Sequence, residues 1–172
     1  MGPEDFAYQL PDAAIAQTPL EDRPAARLMD ALGDRVVNRT VRDLPSLLGP
    51  GDLLVVNDTR VLPARIRLRR GTGGSAEVLL LRALDGDGTW EALVRPSRRM
   101  PEGTTIAVDD GLSVEVGLDL GEGRRHVRLI CDGPVLEAVE RCGEMPLPPY
   151  LTTVLEDPER YQTVYSRRSA SA

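Results

Sequence analysis

Between Ala64 and Cys131 the chain alternates with period two. Ile66 and Leu68 alternate with Arg65, Arg67 and Arg69, and Trp90, Ala92 and Val94 alternate with Glu91, Leu93 and Arg95. Leu112, Val114 and Val116 alternate with Ser113 and Glu115. This spacing puts one set of side chains on each face of a pleated strand. Turn signals fall between the runs at Gly73-Gly74, Asp85-Gly86-Asp87-Gly88, Asp110-Gly111 and Gly121-Glu122-Gly123. Such pairs supply the positive φ angles of tight hairpins, so the pattern predicts about six antiparallel strands closing into a small barrel or sandwich.

The flanks follow other rules. Pro11 with Ala13, Ala14, Ile15 and Ala16 predicts a short helix that Pro19 stops, and VRDLPSLLGPG predicts one or two helical turns. Leu53-Leu54-Val55-Val56 is apolar on both faces, the pattern of a strand buried inside a sheet. After Gly133, Pro134 opens a predicted helix with Val135, Leu136 and Val139 on one face and Gly143 at its end. EMPLPPYL is too rich in proline for regular structure. Asp157 and Pro158 then read as cap and first residue of a helix carrying Tyr161, Val164 and Tyr165 along one side. The fold class expected is α/β plus all-β. Residues 1–63 begin an α/β domain, 64–132 form an inserted antiparallel β-barrel, and 133–172 return to the first domain. The 53–56 strand has no partner of its own kind in the sequence, so the α/β part is read as incomplete.

Composition narrows the chemistry. The formal charge of −6 argues against nucleic-acid binding over the whole surface but leaves room for a local basic patch. All 21 basic residues are arginine, which removes Schiff-base and P-loop lysines. His126 is the single histidine, and Cys131 and Cys142 lack zinc-ligand spacing, so no metal is expected. No run approaches the length of a membrane span, and MGPEDFAYQL lacks the order of a signal peptide, which makes the cytoplasm the default location.

Several segments in order resemble one family. They are DFAYQLPDAAIAQTPLEDRPAARLM, DLPSLLGPGDLLVVNDTRVLPAR, EVLLLR, WEALVRPSRR, GEMPLPPYL and RYQTVYS. NDTRVLPAR and MPLPPY are the specific ones. Together they resemble the N-terminal half of the S-adenosylmethionine:tRNA ribosyltransferase-isomerases of queuosine biosynthesis. The resemblance implies a barrel inserted in a larger α/β domain. It also implies transfer and isomerisation of the ribosyl part of S-adenosylmethionine, the co-substrate, onto 7-aminomethyl-7-deazaguanine in a tRNA anticodon, giving epoxyqueuosine with loss of adenine and methionine. Ala26 stands where the family often has serine, and Ser97-Arg98-Arg99 where it often has Gly-Lys-Arg. Family members continue past YQTVY, so the expectation is a chain lacking a C-terminal half and inactive by itself.

That chemistry needs a base near the sulfonium's ribose carbon, support for the cation, and help for departing adenine. Asp58 and Glu144 are the candidate catalytic carboxylates, with no base assigned between them. Asn57, Asp58, Thr59 and Arg60 leave the 53–56 strand where α/β proteins gather ligand groups, although spacing alone favours a simple Asx-turn. Glu144 and Tyr150 bracket a rigid proline segment that is either a pocket wall or a plain return from the barrel. Tyr161 and Gln162 complete the candidate substrate-binding set, against the alternative of a helix burying its tyrosine. Arg65, Arg95, Arg98 and Arg99 are the candidate tRNA contacts, with Arg67 and Arg69 read as solvated. A noncatalytic RNA- or partner-binding barrel derived from the family is the competing reading.

Overall fold

The structure, a computed structural model, describes residues 2–84, 88–109, 111–153 and 156–170. It is mostly β, with a nearly closed six-stranded antiparallel barrel and two short helices. The chain divides into two compact units, Met1–Val56 with Pro148–Glu156, and Asn57–Leu147 with Asp157–Ala172.

In the first unit, β1 (Arg27–Asp30) and β2 (Val37–Thr40) pair as an antiparallel hairpin that the sequence periodicity does not announce. Arg39 Nε donates to Asp30 Oδ2 at 2.7 Å and holds that carboxyl below its ordinary pKa. Thr40 then caps the next turn, its backbone N–H and hydroxyl donating to Asp43 at 2.9 and 3.0 Å. A 3-10 turn (Val41–Asp43) runs into helix α1 (Leu44–Leu47), the one or two turns expected there.

Two expectations fail in this unit. The helix after Leu10 is only a three-residue 3-10 turn, Asp12–Ala14, because too few residues lie between Pro11 and Pro19 to pass the costly nucleus of a helix. Leu53–Val56 is neither a strand nor buried; Leu53 and Val55 are 87% and 81% exposed. A strand exists only through the ladder it shares with a neighbour, and among the described residues nothing pairs with this run.

The second unit begins with β3 (Thr59–Val61) and then builds the barrel from β4 (Arg65–Arg69), β5 (Ser75–Ala83), β6 (Thr89–Arg95), β7 (Thr105–Asp109), β8 (Leu112–Gly121) and β9 (Arg124–Cys131). The strand order is β4-β5-β6-β9-β8-β7, and β4 and β7 lie side by side at the seam without joining the ladder. The period-two pattern sets the inside: Ile66, Val78, Leu80, Ala92, Val94, Val114 and Val116 are at most 1% exposed. Each large aliphatic side chain so buried contributes about 1.5–3 kcal/mol. At the β8–β9 turn Gly121, Glu122 and Gly123 all have positive φ, 84, 55 and 81°, the handedness that a twisted hairpin demands. The Asp85-Gly86-Asp87 turn signal and Asp110 lie outside the described residues.

Helix α2 (Val135–Cys142) follows the barrel, with Pro134 before it and Gly143 ending it. Its packed face is Val135, Ala138, Val139 and Cys142, spaced i, i+3, i+4, i+7; Leu136, expected on that face, is 44% exposed. The helix expected from Asp157 is a single 3-10 turn, Pro158–Tyr161, and Val164 and Tyr165 stay exposed. The cap itself is present, with Glu159 N–H donating to Asp157 Oδ1 at 3.0 Å. A last short strand, β10 (Arg168–Ala170), pairs in parallel with β3.

Candidate functional site

The NDTR segment is organised by local hydrogen bonds. Asn57 Oδ1 accepts from the Thr59 N–H at 2.9 Å and from the Thr59 hydroxyl at 2.6 Å, the Asx-turn that spacing alone favours. The Arg167 N–H donates to the Asp58 carbonyl at 2.7 Å, which carries the chain into the β3–β10 pairing. Arg60 makes a two-pronged ion pair with Glu159, Nη1 to Oε2 at 3.0 Å and Nη2 to Oε1. That contact raises the pKa of Arg60 and lowers that of Glu159. Gln162 is 3% exposed, and its amide accepts from the Val61 N–H and donates to the Val61 carbonyl, both at 2.8 Å. It thereby acts as a substitute strand partner on one residue of β3. The structure brings Asn57, Asp58, Thr59, Arg60, Tyr161 and Gln162 into one neighbourhood, with Asn57, Thr59, Arg60 and Gln162 bonded within it.

A second group forms where the chain enters and leaves the barrel. Arg65 and Glu144 exchange backbone hydrogen bonds, N–H to O at 3.1 and 2.8 Å, as an isolated antiparallel bridge. Gly143 is required beside it, since a Cβ there would stand 1.8 Å from the Pro63 carbonyl oxygen. The Glu144 carboxylate accepts from Arg67 Nε at 2.7 Å and raises the Arg67 pKa. Arg65 is partly covered on the same face: Nη2 donates to the Leu147 carbonyl at 3.5 Å, and Nε lies 3.8 Å from Glu77 Oε2. Of the two catalytic candidates, Glu144 is thus held at this crossing by Arg67.

The third group is the turn after β6. Arg125 is 6% exposed although charged, and its guanidinium donates to Ser97 Oγ at 3.0 Å, the Gly117 carbonyl at 3.2 Å and Asp119 Oδ2 at 2.9 Å. Met100 closes the other end with its side chain fully buried. Between these anchors the 3-10 turn Ser97–Arg99 presents Arg98 and Arg99 to solvent, beside exposed Arg95. Three fixed positive charges on a braced turn suit phosphate oxygens, which arginine grips through its planar fork.

Tyr150 belongs to the first unit. It is 57% exposed, and its carbonyl accepts from Gln17 Nε2 at 3.0 Å, while Gln17 Oε1 accepts from the Thr152 N–H at 2.9 Å. Among the described residues no three His, Cys, Asp or Glu side chains are grouped to hold a metal, and no helix is long and apolar enough to cross a membrane.

The profile of a family described as "Queuosine biosynthesis protein" matches residues 3–172. The chain belongs to that family. It is 48% identical, over 98% of its length, to an S-adenosylmethionine:tRNA ribosyltransferase-isomerase of Symbiobacterium thermophilum, covering 50% of that protein. A protein of the same name from Pelotomaculum thermopropionicum is 46% identical over the full chain, which covers 51% of it. The chain spans about half the length of the curated relatives it matches. A crystal structure of S-adenosylmethionine tRNA ribosyltransferase from Thermotoga maritima shares 38% identity over 73% of this chain and 44% of that one, with a TM-score of 0.36.

For this member of the queuosine biosynthesis family, the braces around the candidates were the residues that sequence reasoning missed. Arg125 carried a usable signal, because it shares a period-two face with buried Val127 and Leu129. A charge on the inward face of a strand needs partners, and its partners mark the turn it braces. The Gln162 contact carried no such signal. It joins residues about a hundred positions apart.

Proposed function

We propose that this chain supplies the barrel-bearing, N-terminal portion of an S-adenosylmethionine:tRNA ribosyltransferase-isomerase. The reaction moves the ribosyl moiety of S-adenosylmethionine onto 7-aminomethyl-7-deazaguanine in the tRNA anticodon, yielding epoxyqueuosine, adenine and methionine. The observation that carries the reading is the family match over residues 3–172 together with 48% identity to a relative of that name. In this account residues 1–63 and 133–172 are parts of an α/β domain into which the barrel, 64–132, is inserted.

Within that scheme the Asn57–Arg60 segment, Tyr161 and Gln162 are the substrate-binding candidates of the second unit, and Tyr150 is the candidate of the first. Asp58 and Glu144 are the carboxylates available for proton transfer. Arg60 and Gln162 act there by fixing β3 and its neighbours, since their side chains are already bonded to Glu159 and Val61. Arg95, Arg98 and Arg99 meet tRNA phosphates, and Arg65 supports them from the barrel entrance. The enzyme works in the cytoplasm, where its tRNA substrate resides.

A noncatalytic RNA-binding role is the second reading. It is favoured by the exposed Leu53–Val56 run, which has no strand neighbour among the described residues, while the barrel has a buried core of its own. Both readings require RNA binding by the Arg95–Arg99 turn. Reversing both Arg98 and Arg99 to glutamate should weaken tRNA binding and make it less dependent on salt, each lost phosphate contact lowering the slope of log K against log[salt] by about 0.7–1. Unchanged binding refutes the assignment.

A further inference from the structure

The barrel seam joins Arg67, Glu77 and Arg95, described above, to Arg69, which the groups above leave out. A cleft of about 820 Å³ opens there, lined on one side by Arg67, Leu68 and Arg69 of β4 and by Ser75, Ala76 and Glu77 of β5. Arg95 and Pro96 close one side, and Val108 of β7 borders it across the seam. The strand register explains the grouping. Arg67 pairs with Glu77, Glu77 pairs with Arg95, and Arg69 pairs with Ser75, so these side chains project from one face. Arg67 and Arg95 are two strand spacings apart, about 10 Å, with Glu77 between them.

The ion pairs leave a definite residue of charge. Glu144 balances Arg67, and Arg65 approaches Glu77 from the neighbouring position. The Arg69 and Arg95 side chains have no hydrogen-bond or ion-pair partner among the described residues, and both residues are exposed. Two unpaired guanidinium groups therefore share a cleft that also offers the Ser75 hydroxyl. Like charges on one face repel unless an anion lies between them, and a tetrahedral dianion or phosphodiester suits two planar donors. Glu77 repels any anion entering deeply, so a bound phosphate meets the arginines from the rim.

We propose that this seam cleft seats one phosphodiester of an RNA backbone between Arg69 and Arg95, with Ser75 as a further donor. The site rests on the tRNA reading above and extends the RNA track from the Ser97–Arg99 turn onto the outer face of β4 and β5. Arg69, read from the sequence as merely solvated, becomes a binding residue.

The test uses the whole chain, unmodified tRNA and fluorescence anisotropy at several salt concentrations. The double variant Arg69→Gln, Arg95→Gln should bind about 10- to 100-fold more weakly at low salt, the loss expected for charge-assisted hydrogen bonds. Its salt slope should fall by about 0.7–1, the share of one phosphate. The double variant Arg124→Gln, Arg128→Gln, the same loss of two charges from exposed positions of β9 outside the cleft, should change neither by a comparable amount. Wild-type affinity and slope in the double variant, with binding still sensitive to Arg98 and Arg99, overturn the cleft and leave the tRNA reading standing. Absence of RNA binding by the wild-type chain overturns both. Pyrophosphate binding that depends on Arg69 and Arg95 while RNA binding does not overturns RNA as the occupant.

Discussion

Replacing Gln162 with leucine separates a structural role for this residue from a ligand-binding one. The wild-type amide is 3% exposed and makes two hydrogen bonds of 2.8 Å to Val61. Leucine keeps roughly the same bulk and removes both. The Val61 N–H and carbonyl are then left half-buried without partners, and each orphaned group costs about 1–3 kcal/mol, less where water can enter. A net loss of about 2 kcal/mol is expected. With a urea m-value of about 2 kcal/mol/M, the unfolding midpoint should fall by about 1 M. Gln162→Glu refines the test. An ionised glutamate can still accept from the Val61 N–H but opposes the carbonyl, whereas the protonated acid can both accept and donate. Burial and the facing carbonyl raise the pKa of that glutamate in the folded state. Its stabilisation is therefore present at low pH and lost as pH rises through the raised value, so the deficit against wild type should be smaller at pH 5 than at pH 8. A Gln162→Leu midpoint equal to wild type would refute this reasoning and return Gln162 to the substrate pocket alone.

Gly143→Ala should destabilise the chain by about 1–3 kcal/mol, the usual cost of overpacking, because its Cβ would meet the Pro63 carbonyl at 1.8 Å; an unchanged urea midpoint counts against the tight crossing. Arg60→Gln should raise the Glu159 pKa toward its ordinary value, read from carboxyl carbon shifts by NMR. The wild-type ion pair's support for folding is present at neutral pH and fades as pH falls through the depressed Glu159 value, so the variant should lose less on acidification. Identical Glu159 titrations in both proteins would contradict the pairing.

The barrel was legible because every strand repeats a local rule. Ile66 and Leu68 alternate with arginines, Trp90, Ala92 and Val94 with Glu91, Leu93 and Arg95, and the inward members are the buried ones. Leu53–Val56 shows the limit of the same logic. Its four apolar residues meet the requirement for a buried strand, but whether the run becomes one depends on a neighbour elsewhere. Asp157 likewise caps as its type and position demand, yet the element it caps is one 3-10 turn, since helix length is set by packing that no local signal records.

Site residues divided in the same manner. The Asx-turn at Asn57 follows from side-chain chemistry within two residues. The placement of Glu144 against Arg67, or of Arg125 beneath Ser97, depends on which strands become neighbours. Alternation alone made Arg65, Arg67 and Arg69 look equivalent. Tertiary structure distinguishes them: Arg65 turns toward the Leu147 carbonyl, Arg67 pairs with Glu144, and Arg69 remains open.

Adenine release from S-adenosylmethionine, measured with tRNA carrying 7-aminomethyl-7-deazaguanine, tests the central claim most directly. The account predicts no release by the 172-residue chain alone and measurable release when the half of the Symbiobacterium relative that this chain does not cover is added as a separate polypeptide. Release by the chain alone, or none from the reconstituted pair when each piece is folded and tRNA is bound, would contradict it.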